Sequence, residues 1–192
     1  MFKIGDKIVY PMHGAGTIES IEEKAILGET QKYYIIKMPG EVKVMVPIAK
    51  AAEVGVRNII DKQSASNVFK IFDEDKTDMA INWNKRYRDN MEKIKSGDIY
   101  EVADVVRNLS FKQKEKGLST GEKKMLNNAK QILVSELVLA EHSTEENVED
   151  LINQRINTSF EGYTVNGGEI ENKGTDTVVK KFIPFDNGTT NV

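Results

Sequence analysis

The sequence has no cysteine and only two histidines among its 192 residues. The absence of cysteine excludes a disulfide scaffold, a thiolate metal site and a cysteine nucleophile. His13 and His142 are too few for a histidine-rich zinc site. No apolar run approaches the ~20 residues that a membrane-spanning helix needs, and the first residues lack the apolar core of a signal peptide. We therefore expect a cytoplasmic protein that makes no membrane contact.

Catalytic motifs are equally scarce. The pattern Gly117-x-x-x-Gly121-Glu122-Lys123 is one residue shorter than a phosphate-binding loop and lacks the Ser or Thr that follows the lysine in such a loop. No serine or carboxylate is placed beside His13 by the sequence to form a catalytic relay. We therefore expect no enzyme, no small-molecule substrate and no cofactor.

Charge is present in quantity, but it is distributed unevenly. Residues 82–133 carry 12 basic and 7 acidic side chains, so this segment has a net charge of +5. Residues 1–81 have a net charge of −1 and residues 134–192 a net charge of −7, so the net charge of the whole chain is only −3. A basic middle segment indicates an anionic partner, although a solvated, lysine-rich helical face would give the same count.

The first 50 residues have the pattern of a small β-structure. Short runs with alternating apolar and polar residues are separated by Gly and Pro turn signals. The predicted strands cover residues 7–10, 16–21, 24–27, 33–38 and 42–46. They predict a small barrel or curled sheet over residues 1–52. In the last strand, period-two alternation places Met45 outward if the neighbouring valines face the core.

The pattern then becomes helical, and we expect an all-α bundle over residues 64–157 after a linker at 53–63. Apolar side chains recur at helical spacing in five segments, and most segments begin with a capping residue. The predicted N-caps are Ser64, Asn82, Asp98 and Ser119, the last in a capping box with Glu122, and a fifth helix is expected over 144–157. Residues 158–192 are rich in Gly, Asn and Thr and predict a mobile extension.

The helix at 82–95 is the most informative segment, because it carries the only tryptophan of the chain. Trp83, Tyr87 and Met91 share one helix face, so Trp83 could be the outermost member of a core stripe. Alternatively, Trp83 projects from the first turn among the cations Lys85, Arg86 and Arg88. Such an arrangement suits DNA, because cations contact phosphates while an apolar ring wedges against bases in the minor groove.

Several separated motifs make the chain resemble the CarD/CdnL family of bacterial transcription regulators. They are FKIGDKIVYPMHGAG at 2–16, VP at 46–47, VGVR at 54–57, NWNKRY at 82–87, VADVVR at 102–107 and KGLSTGEKKML at 116–126. The resemblance covers residues 1–142 and extends less clearly to 157. We know no counterpart in that family for residues 158–192.

The resemblance implies the fold class and the partners. It implies an α+β protein with a small N-terminal Tudor-like β-barrel module that binds the RNA polymerase β subunit. It further implies a C-terminal all-α domain that contacts promoter DNA at the upstream edge of the transcription bubble and stabilises the open complex. Nothing in the sequence demands more than a monomer.

The resemblance also implies site residues. The tryptophan that wedges into the minor groove in this family matches Trp83. Basic family positions that contact the DNA backbone match Lys85, Arg88 and Lys123. With the neighbouring cations Arg86 and Lys124, the expected DNA-binding set is Trp83, Lys85, Arg86, Arg88, Lys123 and Lys124, and the expected polymerase-binding set is Lys24, Ile26 and Met45. Family arginines correspond to Lys24, which keeps the charge without the planar fork, and to Met45, which does not keep it.

An alternative function belongs to another class. The chain could be a polymerase-bound adaptor whose helical domain grips a protein and whose DNA contact is incidental. Phosphate contacts would make DNA affinity fall steeply with added salt, whereas an apolar protein interface responds far less.

Overall fold

The computed structural model describes residues 1–165 and places an antiparallel β-sheet before five α-helices. The strands are β1 (Lys7–Tyr10), β2 (Gly14–Ile26), β3 (Glu29–Lys37), β4 (Lys43–Pro47) and β5 (Arg57–Asn58). The helices are α1 (Lys62–Ile71), α2 (Trp83–Lys95), α3 (Ile99–Glu115), α4 (Thr120–Glu141) and α5 (Glu145–Val165). The α+β class expected from the sequence is confirmed.

The sheet is open, which corrects the prediction of a β-barrel. Its strand order is β4-β3-β2-β1-β5, and each neighbouring pair is antiparallel. Within the described residues β4 pairs only with β3, and β5 pairs only with β1. A barrel needs a ladder between its first and last strands, and no ladder joins β4 to β5 among the described residues.

The β2 strand is longer than the sequence predicted. Two strands were expected over 16–21 and 24–27, but β2 is continuous because Glu22 and Glu23 pair with Tyr33 and Lys32 of β3. Consecutive acidic residues interrupt the apolar alternation on which a strand prediction depends. Pairing with a neighbouring strand satisfies their backbone groups all the same.

Each half of the described chain has its own hydrophobic core. In the sheet module, Ile8, Ile18, Tyr34, Ile36 and Val46 are at most 1% exposed and pack together. In the helical domain a larger cluster joins all five helices. The apolar stripes predicted for two of these helices are confirmed, with every member buried: Ile99, Val102, Ala103, Val106 and Leu109 on α3, and Leu126, Ala129, Leu133, Leu137 and Ala140 on α4.

The ends of the helices test the capping predictions. Asn82, Asp98 and the capping box of Ser119 with Glu122 are confirmed as N-caps. The prediction for α1 was wrong: Asp61 is the N-cap, and its carboxylate accepts the backbone N–H of Ser64 at 2.7 Å. Aspartate and serine are both favoured N-caps, so composition alone did not distinguish them.

The last helix continues beyond its expected end at residue 157. Phe160 and Tyr163 follow Ile156 by four and seven residues, so they fall on the same helix face. Both rings pack edge-on against Phe111, at centroid distances of 5.3 and 6.0 Å. Residues 158–165 of the expected mobile extension are therefore helical, and residues 166–192 lie outside the described residues.

The sheet and the helices meet at a hydrogen-bonded junction between β2 and α4. The backbone N–H of Ala15 donates to Ser135 Oγ at 2.8 Å. Arg57 donates to both carboxylate oxygens of Glu136 at 2.7 and 2.9 Å, and the same carboxylate accepts the backbone N–H of Ile60. The expected linker at 53–63 thus contains β5 and part of this junction.

Candidate functional site

The indole of Trp83 lies at the outer end of the apolar stripe on α2. Asn82 caps the helix by accepting the backbone N–H of Lys85 at 3.0 Å, which places Trp83 at the first helical position. Exposure falls along the stripe, from 44% at Trp83 to 1% at Ile94. The stripe alternative therefore holds for the inner residues, whereas nearly half of the Trp83 surface is accessible.

Two contacts fix the orientation of this exposed ring. The indole Nε1 donates to Ser119 Oγ at 3.1 Å. The ring stacks on Tyr87, with centroids 5.3 Å apart and an interplanar angle of 26°. A side chain held in this way loses little further freedom when it binds a partner. Trp83 is thus exposed and preorganised.

Ser119 brings the N-terminus of α4 to the same place. Its hydroxyl oxygen accepts both the indole N–H of Trp83 and the backbone N–H of Glu122, the latter at 3.2 Å. The first turn of α4 lies directly against both rings, since a Cβ added at Gly121 would be in van der Waals contact with Trp83 and Tyr87 at 3.6 Å. Two helix N-termini, each with a partial positive charge, therefore meet beside one exposed indole.

Arg86 has a different position from the one expected of a DNA contact. Its side chain is buried, and Nε donates to Glu122 Oε1 at 2.8 Å. Its Nη1 donates to the carbonyl oxygens of Ala80 and Ile81, both at 2.9 Å. The guanidinium already compensates a buried carboxylate and two backbone carbonyls through Nε and Nη1, and a DNA contact by Arg86 stays a prediction. Arg86 therefore supports the site from within.

Glu122 is the anionic centre of this support. Burial alone would raise the pKa of its carboxyl group, but hydrogen bonds from Arg86, from the backbone of Ser119 and from Lys112 outweigh burial and lower the pKa to about 2. The carboxylate is 2% exposed. Because it joins α2, α4 and the end of α3, its charge holds together the elements that carry Trp83.

Ile81 is a candidate that sequence reasoning missed. It is 98% exposed and precedes the N-cap of α2. An apolar residue at this position often packs against the fourth residue of the helix as a hydrophobic staple. Here the fourth residue is Arg86, which is buried in its own ion pair. The absence of a staple partner is a signal in the sequence that could have identified an exposed Ile81.

The remaining cations of the expected set are on the surface. Lys85, Arg88, Lys123 and Lys124 are all exposed, on the first two turns of α2 and α4. Lys85 also forms an ion pair with Asp89 at 2.8 Å, with both side chains exposed. Such a surface pair is weak, so a phosphate can compete with the carboxylate for Lys85.

The expected polymerase-binding residues lie on the sheet, away from the α2–α4 contact. In the register, Lys24 is opposite Gln31 and Met45 is opposite Ile35. Since alternate residues of a strand share a face, Lys24, Ile26 and Met45 lie on the same face of the sheet. Met45 is 45% exposed, which confirms its predicted outward position. Lys24 is paired with Glu22 at 3.0 Å on the surface.

Metal and membrane sites find no support among residues 1–165. This part of the chain has no cluster of three His, Cys, Asp or Glu side chains that could hold a metal ion. Nor does it contain a helix that is both long and apolar enough to cross a bilayer.

Comparison with known proteins identifies the family. The CarD-like/TRCF RID domain matches residues 2–60, and the CarD C-terminal domain matches residues 67–153. The chain therefore belongs to the CarD family. A relative from Bacillus subtilis (strain 168), named "Putative transcription factor YdeB", is 46% identical over 149 residues, which cover 77% of this chain and 97% of the relative.

Proposed function

We propose that this protein is a transcription regulator that binds the RNA polymerase β subunit and stabilises the promoter open complex. Its sheet module binds the polymerase, and its helical domain contacts the upstream edge of the transcription bubble. The exposed Trp83, held between two helix N-termini, is the observation that carries the proposal. Membership of the CarD family and the name of the Bacillus subtilis relative support the same class of function.

The DNA contact rests on a division of work between cations and apolar side chains. Lys85, Arg88, Lys123 and Lys124 are exposed and contact backbone phosphates. The indole of Trp83 enters the minor groove at the bubble edge, and the exposed Ile81 adds apolar surface beside it. Unstacking an intact base step costs a few kcal/mol, so the wedge is favoured where the duplex is already opened. This preference needs no sequence recognition.

The polymerase contact raises the local concentration of the helical domain at the promoter. Linking a weak DNA contact to a polymerase contact makes the second binding event intramolecular. Lys24, Ile26 and Met45 supply side chains on one face of the sheet. The β4 strand lies at the edge of the sheet, and its unpaired backbone groups offer a second mode of docking, in which a strand of the partner is added.

The test of the wedge is the lifetime of the open complex with the cognate polymerase. Wild-type protein is expected to lengthen the lifetime, and Trp83→Ala to remove most of that effect while polymerase binding is retained. Base–aromatic stacking contributes about 1–3 kcal/mol, so the lifetime should fall by about fivefold to a hundredfold.

A matched control is available on α3. Tyr100 is also an aromatic residue in the first turn of a helix and is 38% exposed, and Tyr100→Ala should leave the lifetime unchanged. Equal lifetimes with wild type and Trp83→Ala would contradict the wedge. Promoter affinity in the polymerase complex that barely responds to salt would instead support the adaptor.

A further inference from the structure

The hairpin formed by β2 and β3 extends beyond the rest of the sheet. The β1 strand pairs with β2 only as far as Thr17, and β4 pairs with β3 only from Tyr33 onward. Residues 23–32 therefore form a two-stranded ribbon without a third strand. No residue of this ribbon belongs to either hydrophobic core of the described chain. The ribbon reaches into solvent.

The tip of this ribbon carries a leucine in an unfavourable place. Ile26 and Glu29 pair, so Leu27 and Gly28 form a two-residue turn. Both have positive φ, 53° and 84°, as a type I′ turn requires. Asparagine or aspartate is favoured at the first position of such a turn, and a leucine there is sterically disfavoured. Moreover, the side chain of Leu27 is 100% exposed.

A leucine at this position is unfavourable both because of its positive φ and because its apolar side chain is fully exposed to water. Burial of the side chain against a partner would remove the second of these costs. We propose that Leu27 is the apolar anchor of the polymerase contact and inserts into an apolar pocket on the RNA polymerase β subunit. This inference rests on the proposed function, because it adds an anchor to the surface assigned to Lys24 and Ile26. The three residues lie within four positions on the same ribbon, so one partner surface covers them.

The ribbon is well suited to present such an anchor. Nine cross-strand pairs hold β2 to β3, so little conformational freedom is lost when the tip binds. Ile26 is 38% exposed and enlarges the apolar surface near the tip. Lys24 supplies a cation at its side. The complementary surface on the β subunit is an apolar pocket with a carboxylate at its rim.

The test uses a substitution that should move stability and affinity in opposite directions. Leu27→Asn introduces the residue that a type I′ turn prefers, so the melting temperature of the full-length protein should stay unchanged or rise by about 2 °C. Removal of a buried leucine side chain from an interface corresponds to a loss of affinity of about tenfold or more. Affinity is measured by titration of fluorescently labelled full-length protein with cognate RNA polymerase in the absence of DNA.

Three further variants complete the design. Ile4→Asn is the matched control, because it removes an aliphatic side chain that is 62% exposed but lies away from the tip. The neighbouring Gly5 donates its N–H to the carbonyl of Ile18, which is nine residues before Leu27. Ile4→Asn should leave affinity unchanged. Leu27→Met keeps an apolar anchor at the tip and should bind within about threefold of wild type. Lys24→Glu tests the surface on which the inference rests and should weaken binding.

The outcomes separate the inference from the proposed function. Wild-type affinity for Leu27→Asn, with Lys24→Glu weakened, would overturn the anchor and leave the polymerase contact in place. Equal weakening by Leu27→Met and Leu27→Asn would also overturn it, because an apolar anchor does not require a branched chain. Failure of the wild-type protein to bind polymerase would overturn the proposed function itself.

Discussion

The ion pair between Arg86 and Glu122 offers a direct test of how the surface around Trp83 is built. Both side chains are buried, with exposures of 11% and 2%. Removing one partner of a buried pair costs about 3–5 kcal/mol, because the other charge is left uncompensated. In Arg86→Ala, Glu122 would keep its hydrogen bonds from Ser119 and Lys112. We therefore expect the lower end, about 3 kcal/mol, which for a protein of this size is a fall in melting temperature of about 6–12 °C.

Two signals report on this variant. Urea unfolding followed by circular dichroism gives the free energy of unfolding, and the fluorescence of Trp83, the only tryptophan, reports the site itself. Loss of the guanidinium frees the carbonyls of Ala80 and Ile81, so the emission of Trp83 should shift before global unfolding. Lys85→Ala is the matched control: its ion pair is exposed, and its removal should change stability by less than about 0.5 kcal/mol.

If Arg86→Ala keeps wild-type stability and emission but weakens promoter binding, Arg86 contacts DNA as the sequence suggested. A double-mutant cycle with Glu122→Gln adds a second criterion, since a coupling energy near zero would show that the two side chains act independently.

Two further predictions concern pH and the junction. The pKa of Glu122 is lowered to about 2, from its ordinary value of 4.5, so its contribution to stability is present above pH 4.5 and is lost as the pH falls toward 2. Acid titration of the unfolding free energy should show this loss, and Glu122→Gln should reduce it. At the junction, Gly14 has a φ of 97°, and an added Cβ would lie 2.6 Å from Ser135 Oγ. Gly14→Ala should therefore lower the melting temperature considerably more than Gly5→Ala, which has a φ of 92° and no atom within 4 Å of the added Cβ. Equal losses would show that only the backbone angle matters.

The features that the sequence predicted correctly depend on neighbours in the chain. A cap requires an acceptor and a donor two or three residues apart, so Asn82, Asp98 and Ser119 were identified. A buried helix face requires only regular spacing, so the stripes of α3 and α4 were identified as well. Met45 was placed outward because strand alternation is equally local.

The features that were missed depend on distant residues. Arg86 looked like the cations beside it, but its partner Glu122 is 36 residues away. Closure of the sheet depends on whether β4 meets β5, and no local pattern encodes that encounter. The hydrogen bond from Trp83 to Ser119 also spans 36 positions, so the orientation of the candidate wedge was beyond sequence reasoning.

The junction between β2 and α4 has a consequence for where the protein acts. Arg57 donates to the carboxylate of Glu136, and its Nη2 and Nε also donate to the carbonyl oxygen of Gly97 at 2.7 and 3.0 Å. Arg57 therefore connects the sheet to α4 and to the end of α2. With the two parts held in one relative orientation, the separation between the hairpin tip and the indole is a constant of the molecule. Under the proposed function, a polymerase-bound copy would then reach DNA at one fixed distance from the hairpin tip. The position of the DNA contact along the promoter would then be set by the distance from the polymerase contact to Trp83, independently of the base sequence there.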